Sequence, residues 1–173
     1  MAFFQRFFGI ILFRPTTYRF VASNSSLMIE SSLTVFFAAF LSSVLYTWFN
    51  GFGIQAISRI IRPIVAWLFI GLLCTLIANI FFKVKIQAQS VLRTTGYARV
   101  FLLLGLFTII LYPSNFYASI ATGLGTSVSI IASILAIRES CNISTWQAVA
   151  IFSLSFFIFM IFTIPVLIVL GLR

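Results

Sequence analysis

YASIATGLGTSVSIIASILAIRE, residues 117–139, decides how the rest of the chain is read. At helical spacing Ala118, Thr122, Gly125, Ser129, Ala132 and Ala136 recur in alternating steps of four and three, which lines them along one face. In water such a seam would bury little area and make a poor core. In lipid, small side chains let backbones approach closely, and van der Waals contact then drives helices together. Gly123 and Gly125 would each weaken an exposed helix by about 1 kcal/mol relative to Ala, so neighbours packed directly on them are expected. This helix is therefore expected to be the hub of a membrane bundle.

Composition agrees. Of 173 residues 62% are hydrophobic and 8% charged, with a mean hydropathy of +1.19. Soluble domains average about 25% charged residues. The net charge of +9 does not form a nucleic-acid footprint, because the eleven basic residues sit in short stretches between apolar runs. There is no histidine, and Glu30 and Glu139 are the two acidic residues, so a Ser/His/Asp triad and a His-based metal site are excluded. Cys74 falls inside an apolar run and Cys141 in a connection, at depths too different for a disulfide.

Five spans are expected, at 27–48, 63–82, 97–112, 117–137 and 146–172, in one all-α membrane domain covering 1–173. Residues 1–14 read as a short interfacial helix, with Phe3, Phe4, Phe7, Phe8 and Ile11 on one face and Gln5 and Arg6 opposite. Pro15 ends it, and a polar connection follows with Tyr18 and Arg19 at headgroup level. Pro63 opens the second span from its first turn. Residues 87–93 suit a short surface helix before the third span. Ser144 and Gln147 match a capping box at the start of the last span, and Pro165 is expected to kink it.

An odd number of spans puts the termini on opposite sides. Eight basic residues (Arg6, Arg14, Arg19, Lys83, Lys85, Arg93, Arg99, Arg138) fall on the N-terminal side and three (Arg59, Arg62, Arg173) on the other. The excess places the N-terminus in the cytoplasm and the C-terminus outside. Tyr46, Trp48, Trp67, Tyr112 and Tyr117 would mark the outer interface, with Tyr18, Tyr97 and Trp146 at the inner one.

Candidate chemistry is sparse. Glu30, near the start of the first span, either reaches the interface or pairs with Arg93, Arg99 or Arg138. The inner-face cations Lys83, Lys85, Arg93, Arg99 and Arg138 are explained by anionic lipid or by a docked partner. No cofactor is expected beyond bound lipid. The 22 Phe residues suit a lipid-facing surface.

Three stretches together resemble the Yip domain family, the Ypt/Rab-interacting membrane proteins and their bacterial relatives. They are FFGIILFRPTTYRFVA at 7–22, SVLRTTGYARVFLLL at 90–104 with Gly96 and Tyr97 at the start of the third span, and ILAIRESCNISTWQAVAIF at 134–152. The proline that the family often places after the Gly-Tyr pair is absent. The resemblance implies a five-helix bundle with a cytoplasmic N-terminus in a short bacterial-type member of the inner membrane. It implies no catalytic residue. The long cytosolic region with which eukaryotic members bind Rab GTPases has no counterpart here. The resulting expectation is a non-enzymatic interaction or scaffold protein, an accessory subunit of a larger bioenergetic or photosynthetic membrane complex that contacts lipids and other membrane proteins. The alternative is a small transporter or lipid-handling protein with its path along the seam.

Overall fold

Pro15 starts a helix here, as well as following one. Its missing N–H and fixed φ suit the first helical position, and Thr17, Tyr18 and Val21 then fall on one buried face. The expected polar connection is therefore α2. The computed structural model describes residues 2–50, 54–103 and 115–169, and among these every element is helical. The order is α1 (Phe3–Ile11), α2 (Pro15–Ser23), a 3-10 turn (Ser25–Leu27), α3 (Met28–Asn50), α4 (Ile54–Phe81), α5 (Ala88–Ala98), a second 3-10 segment (Arg99–Leu103), α6 (Asn115–Cys141) and α7 (Thr145–Val169).

Four stretches are long and apolar enough to cross a membrane: Ser25–Val44, Ile60–Phe81, Gly123–Cys141 and Thr145–Thr163. They make the chain a membrane protein. They overlap four of the five expected spans. The remaining one, 97–112, begins inside α5 and the second 3-10 segment, and residues 104–112 lie outside those described. Residues 170–172 of the last span and the side chain of Pro165 lie outside them too.

The helix at the centre is α5, which packs against α1, α2, α3, α4 and α6. It is the polar one, AQSVLRTTGYA, yet every residue from Val91 to Ala98 is buried. The expected surface helix at 87–93 is thus the start of an internal one. Close approach makes this possible: a Cβ on Gly96 would collide with the Ser31 side chain and meet the Trp67 ring at 3.3 Å. The neighbours then satisfy its backbone. Ser31 Oγ donates to the Arg93 carbonyl at 2.8 Å, Trp67 Nε1 to that of Leu92 at 3.1 Å and Ser129 Oγ to that of Ala98 at 3.2 Å. The Thr94 and Thr95 hydroxyls bond back to their own helix, as Thr does in apolar surroundings.

Hub and belts need correction. Among the described residues the expected hub, α6, packs against α2, α5, the second 3-10 segment and α7, with α5 between it and α3 and α4. Tyr18, Trp67 and Tyr97, assigned to the interfaces, are 0%, 4% and 1% exposed, because each hydroxyl or indole N–H finds a partner inside. Trp146 is exposed at the start of α7. The side chains of Tyr46, Trp48, Tyr112 and Tyr117 lie outside the described residues. Pro63 lies inside α4, which begins at Ile54, so part of the expected connection is helical. The capping box at α7 is present: Gln147 N–H donates to Ser144 Oγ at 3.3 Å, and Ser144 N–H to Gln147 Oε1 at 3.0 Å.

Candidate functional site: a charged layer between helices

In α1, FFQRFFGII, the positions Arg6, Gly9 and Ile10 share one face, and that face is buried. Gly9 lets α1 close onto Thr17 of α2, where any Cβ would collide. Arg6 thereby reaches across to the first turn of α3. Its guanidinium holds Glu30 through both oxygens, with Nη2 to Oε2 at 2.7 Å, Nη2 to Oε1 at 2.9 Å and Nε to Oε1 at 3.2 Å. The side chains are 10% and 25% exposed. The Tyr97 hydroxyl of α5 donates to the same Glu30 oxygen. Burial works against the Arg6 cation, but the hydrogen bonds and charge of Glu30 and Tyr97 outweigh it and hold its pKa above the ordinary value. Glu30 thus pairs with Arg6, and Arg93, Arg99 and Arg138 are engaged elsewhere or stand apart. The pairing follows from the turn of α1, which faces its cation inward, leaves Phe3, Phe4 and Phe8 outward and packs Phe7 against the core.

Glu139, in the last turn of α6, carries the second cluster. Arg138 donates to Oε1 from Nε at 2.8 Å, and Arg19 of α2 to Oε2 from Nε at 2.5 Å. The Glu139 side chain is 4% exposed, Arg138 30% and Arg19 64%, so the carboxylate is internal while Arg19 lies over it from the surface. Among the described residues Arg93 makes no ion pair. It is 3% exposed, and its guanidinium caps α2 by donating to the Val21 and Ala22 carbonyls at 3.2 and 2.5 Å. A cation at free C-terminal carbonyls is favoured by charge and by geometry.

Arg99, at the end of α5, differs. Its Nε is buried with no hydrogen-bond partner among the described residues. Its position at a helix C-terminus offsets part of that cost.

The five expected inner-face cations therefore divide. Arg93, Arg99 and Arg138 are taken up in or against the fold, whereas Lys83 and Lys85 stay exposed between α4 and α5. Of the seam, Gly125, Ser129, Ala132 and Ala136 are buried, and the side chains of Ala118 and Thr122 lie outside the described residues. Gly123 behaves otherwise: an added Cβ would meet nothing within 4 Å. Cys74 and Cys141 are free, and both lie in one buried apolar cluster formed by α4, α5, α6 and α7. Among the described residues no three of His, Cys, Asp and Glu gather as metal ligands would.

Sequence reading passed over Arg6, Tyr97 and Glu139 as a site. The face Arg6, Gly9, Ile10 at steps of three and one was a usable signal, since a cation beside small and apolar neighbours on one face asks for an anion. Arg19 and Glu139 are 120 residues apart and offered none. Comparison of the chain with protein-family models, curated proteins and solved structures finds no match in any of the three.

Proposed function

We propose that this chain is a non-catalytic membrane interaction protein of the Yip type, built to ride as an accessory subunit at the edge of a larger bioenergetic or photosynthetic membrane complex. The observation that carries this reading is the way α1 is held. Arg6, Glu30 and Tyr97 fasten one face of α1 to α3 and α5, so Phe3, Phe4, Phe8 and Leu12 point outward, 43–70% exposed. A rigid aromatic edge presented by an otherwise internal ion pair fits a contact surface better than a free amphipathic tail. On this reading α1 lies in the interface. The segment after α5 makes the fifth crossing, and the basic excess sets the N-terminus in the cytoplasm of a bacterial inner membrane.

A second reading, a transporter or lipid-handling protein, draws on a different observation: a polar helix, α5, runs through the middle of the bundle and is followed by Arg99, whose buried Nε has no hydrogen-bond partner among the described residues. Ionisable groups at such depth often mark a pathway. Gly125→Leu separates the two. For an interaction protein it destabilises the fold or its assembly. For a transporter with its path along the seam it abolishes flux in a protein that stays folded, and flux surviving in a folded variant counts against that path.

A further inference from the structure

The connection from α4 to α5 is a built cleft. Asn79, in the last turns of α4, accepts the Ile86 N–H at Oδ1 (3.0 Å) and donates from Nδ2 to the Ile86 carbonyl at 3.4 Å, pinning an extended segment against the helix end. The Val84 N–H returns to the Ala78 carbonyl at 3.2 Å. The result is an open cleft of about 490 Å³ lined by Asn79, Lys83, Lys85, Ile86 and Gln87. That size lies within the range of small-ligand sites. Lys83, Lys85 and Gln87 are all exposed and all line the cleft.

Lys83 itself is informative. Its φ of 53° is left-handed, where glycine is favoured. Two other non-glycine residues among those described share that conformation. Phe13 stacks on Phe101 at 5.1 Å, and Asn142 is a residue type that tolerates the conformation. Lys83 is exposed. The left-handed turn ends α4, with the Val84 N–H returned to the Ala78 carbonyl, and it leaves the Lys83 ammonium exposed at the cleft for a ligand to use.

Depth and surroundings name the use. The membrane-competent stretch of α4 ends at Phe81, two residues before Lys83, which is where lipid phosphates lie. Below the cleft, Leu72, Leu76 and Ile80 form one exposed stripe at steps of four, 52%, 53% and 60% exposed, suited to an acyl chain. Neither carboxylate of the chain is available to the two lysines, because Glu30 and Glu139 are bound by Arg6, Arg19 and Arg138.

We propose that this cleft is a binding site for an anionic phospholipid, with the phosphate between Lys83 and Lys85, Gln87 as a further donor, and an acyl chain along Leu72, Leu76 and Ile80. The site stands whether or not the chain rides in a larger complex.

The test is native mass spectrometry of the full chain released from nanodiscs of phosphatidylcholine mixed with phosphatidylglycerol. Wild type retains phosphatidylglycerol in preference to phosphatidylcholine. Lys83→Gly and Lys85→Gln each weaken that preference about fivefold, and the double variant loses it. Lys83→Gly relieves the left-handed turn, so its unfolding midpoint in lipid-free detergent stays at or above that of wild type, which separates lost binding from lost folding. Arg14→Gln, an exposed cation away from the cleft, leaves the preference unchanged. The proposal is overturned if the double variant retains phosphatidylglycerol like wild type. It is also overturned if Arg14→Gln lowers retention as much as the lysine changes do, which would mean bulk surface charge. Inorganic phosphate displacing the lipid from wild type would make the cleft a small-anion site and would equally overturn it.

Discussion

Arg6 is a cation whose helix turns it away from water, and its energetics follow from that choice. Removing one member of a buried, hydrogen-bonded pair leaves the other charge without compensation and costs about 3 kcal/mol. Arg6→Ala is accordingly expected to lower stability by that order in detergent unfolding measurements. Tyr97→Phe, which removes the hydroxyl donated to Glu30, should cost about 1.5 kcal/mol. Arg19→Ala should cost less than about 1 kcal/mol, because Arg19 is 64% exposed and Arg138 still holds Glu139. A loss at Arg19 equal to that at Arg6 would contradict the assignment of which pair fastens the fold. Tyr18 offers a pH handle. It is fully buried on α2, and burial pushes its phenol well above the ordinary value. The folded state therefore keeps a proton that the unfolded chain releases near pH ~10. Stability is fully present below that pH and falls as pH rises beyond it. Tyr18→Phe should flatten the alkaline fall, and an unchanged alkaline profile would place its cause elsewhere.

Between elements, glycine decides distance. Gly96→Ala drives a methyl into the Ser31 hydroxyl, which must leave the Arg93 carbonyl. It is expected to destabilise by about 2 kcal/mol. Gly123→Ala meets open space and should gain about 1 kcal/mol from helix propensity. Comparing the two unfolding midpoints tests whether α5 or the near end of α6 is the tight contact. The sequence was informative here in part. Long apolar runs at helical length identified the four membrane-competent helices, and Ser144 with Gln147 marked the start of α7, because both signals are local. The seam at Ser129, Ala132 and Ala136 was also local and periodic. The place of α5 was not legible. A stretch such as AQSVLRTTGYA is polar by composition, and its burial depends on donors arriving from Ser31, Trp67 and Ser129 of other helices and on the hydroxyl pair of Thr94 with Ser140. For the same reason Tyr18, Trp67 and Tyr97 read as interfacial anchors. An aromatic with one polar atom suits a headgroup and a buried hydrogen bond equally well, and partners distant in sequence decide between them.

For the whole molecule, the charges divide into those that join helices and those left outside. Arg6 with Glu30 ties α1 to α3, Arg93 ties α5 to α2, and Arg19 with Glu139 ties α2 to α6, where Arg138 also holds the carboxylate. Large apolar faces are then all that much of the exterior presents, from Phe3, Phe4 and Phe8 on α1 to Phe36, Phe37 and Phe40 on α3 and Phe157 and Phe162 on α7. Lipid covers such faces, and so does a neighbouring membrane protein. The proposal that a neighbour covers one of them is the central claim, and mass tests it most directly. Gentle detergent extraction from native membranes, followed by a native gel with absorbance recorded along the lane, should find this chain co-migrating with a much larger complex. Migration at the mass of one or two chains would contradict the subunit reading and turn attention to Arg99 and lipid handling.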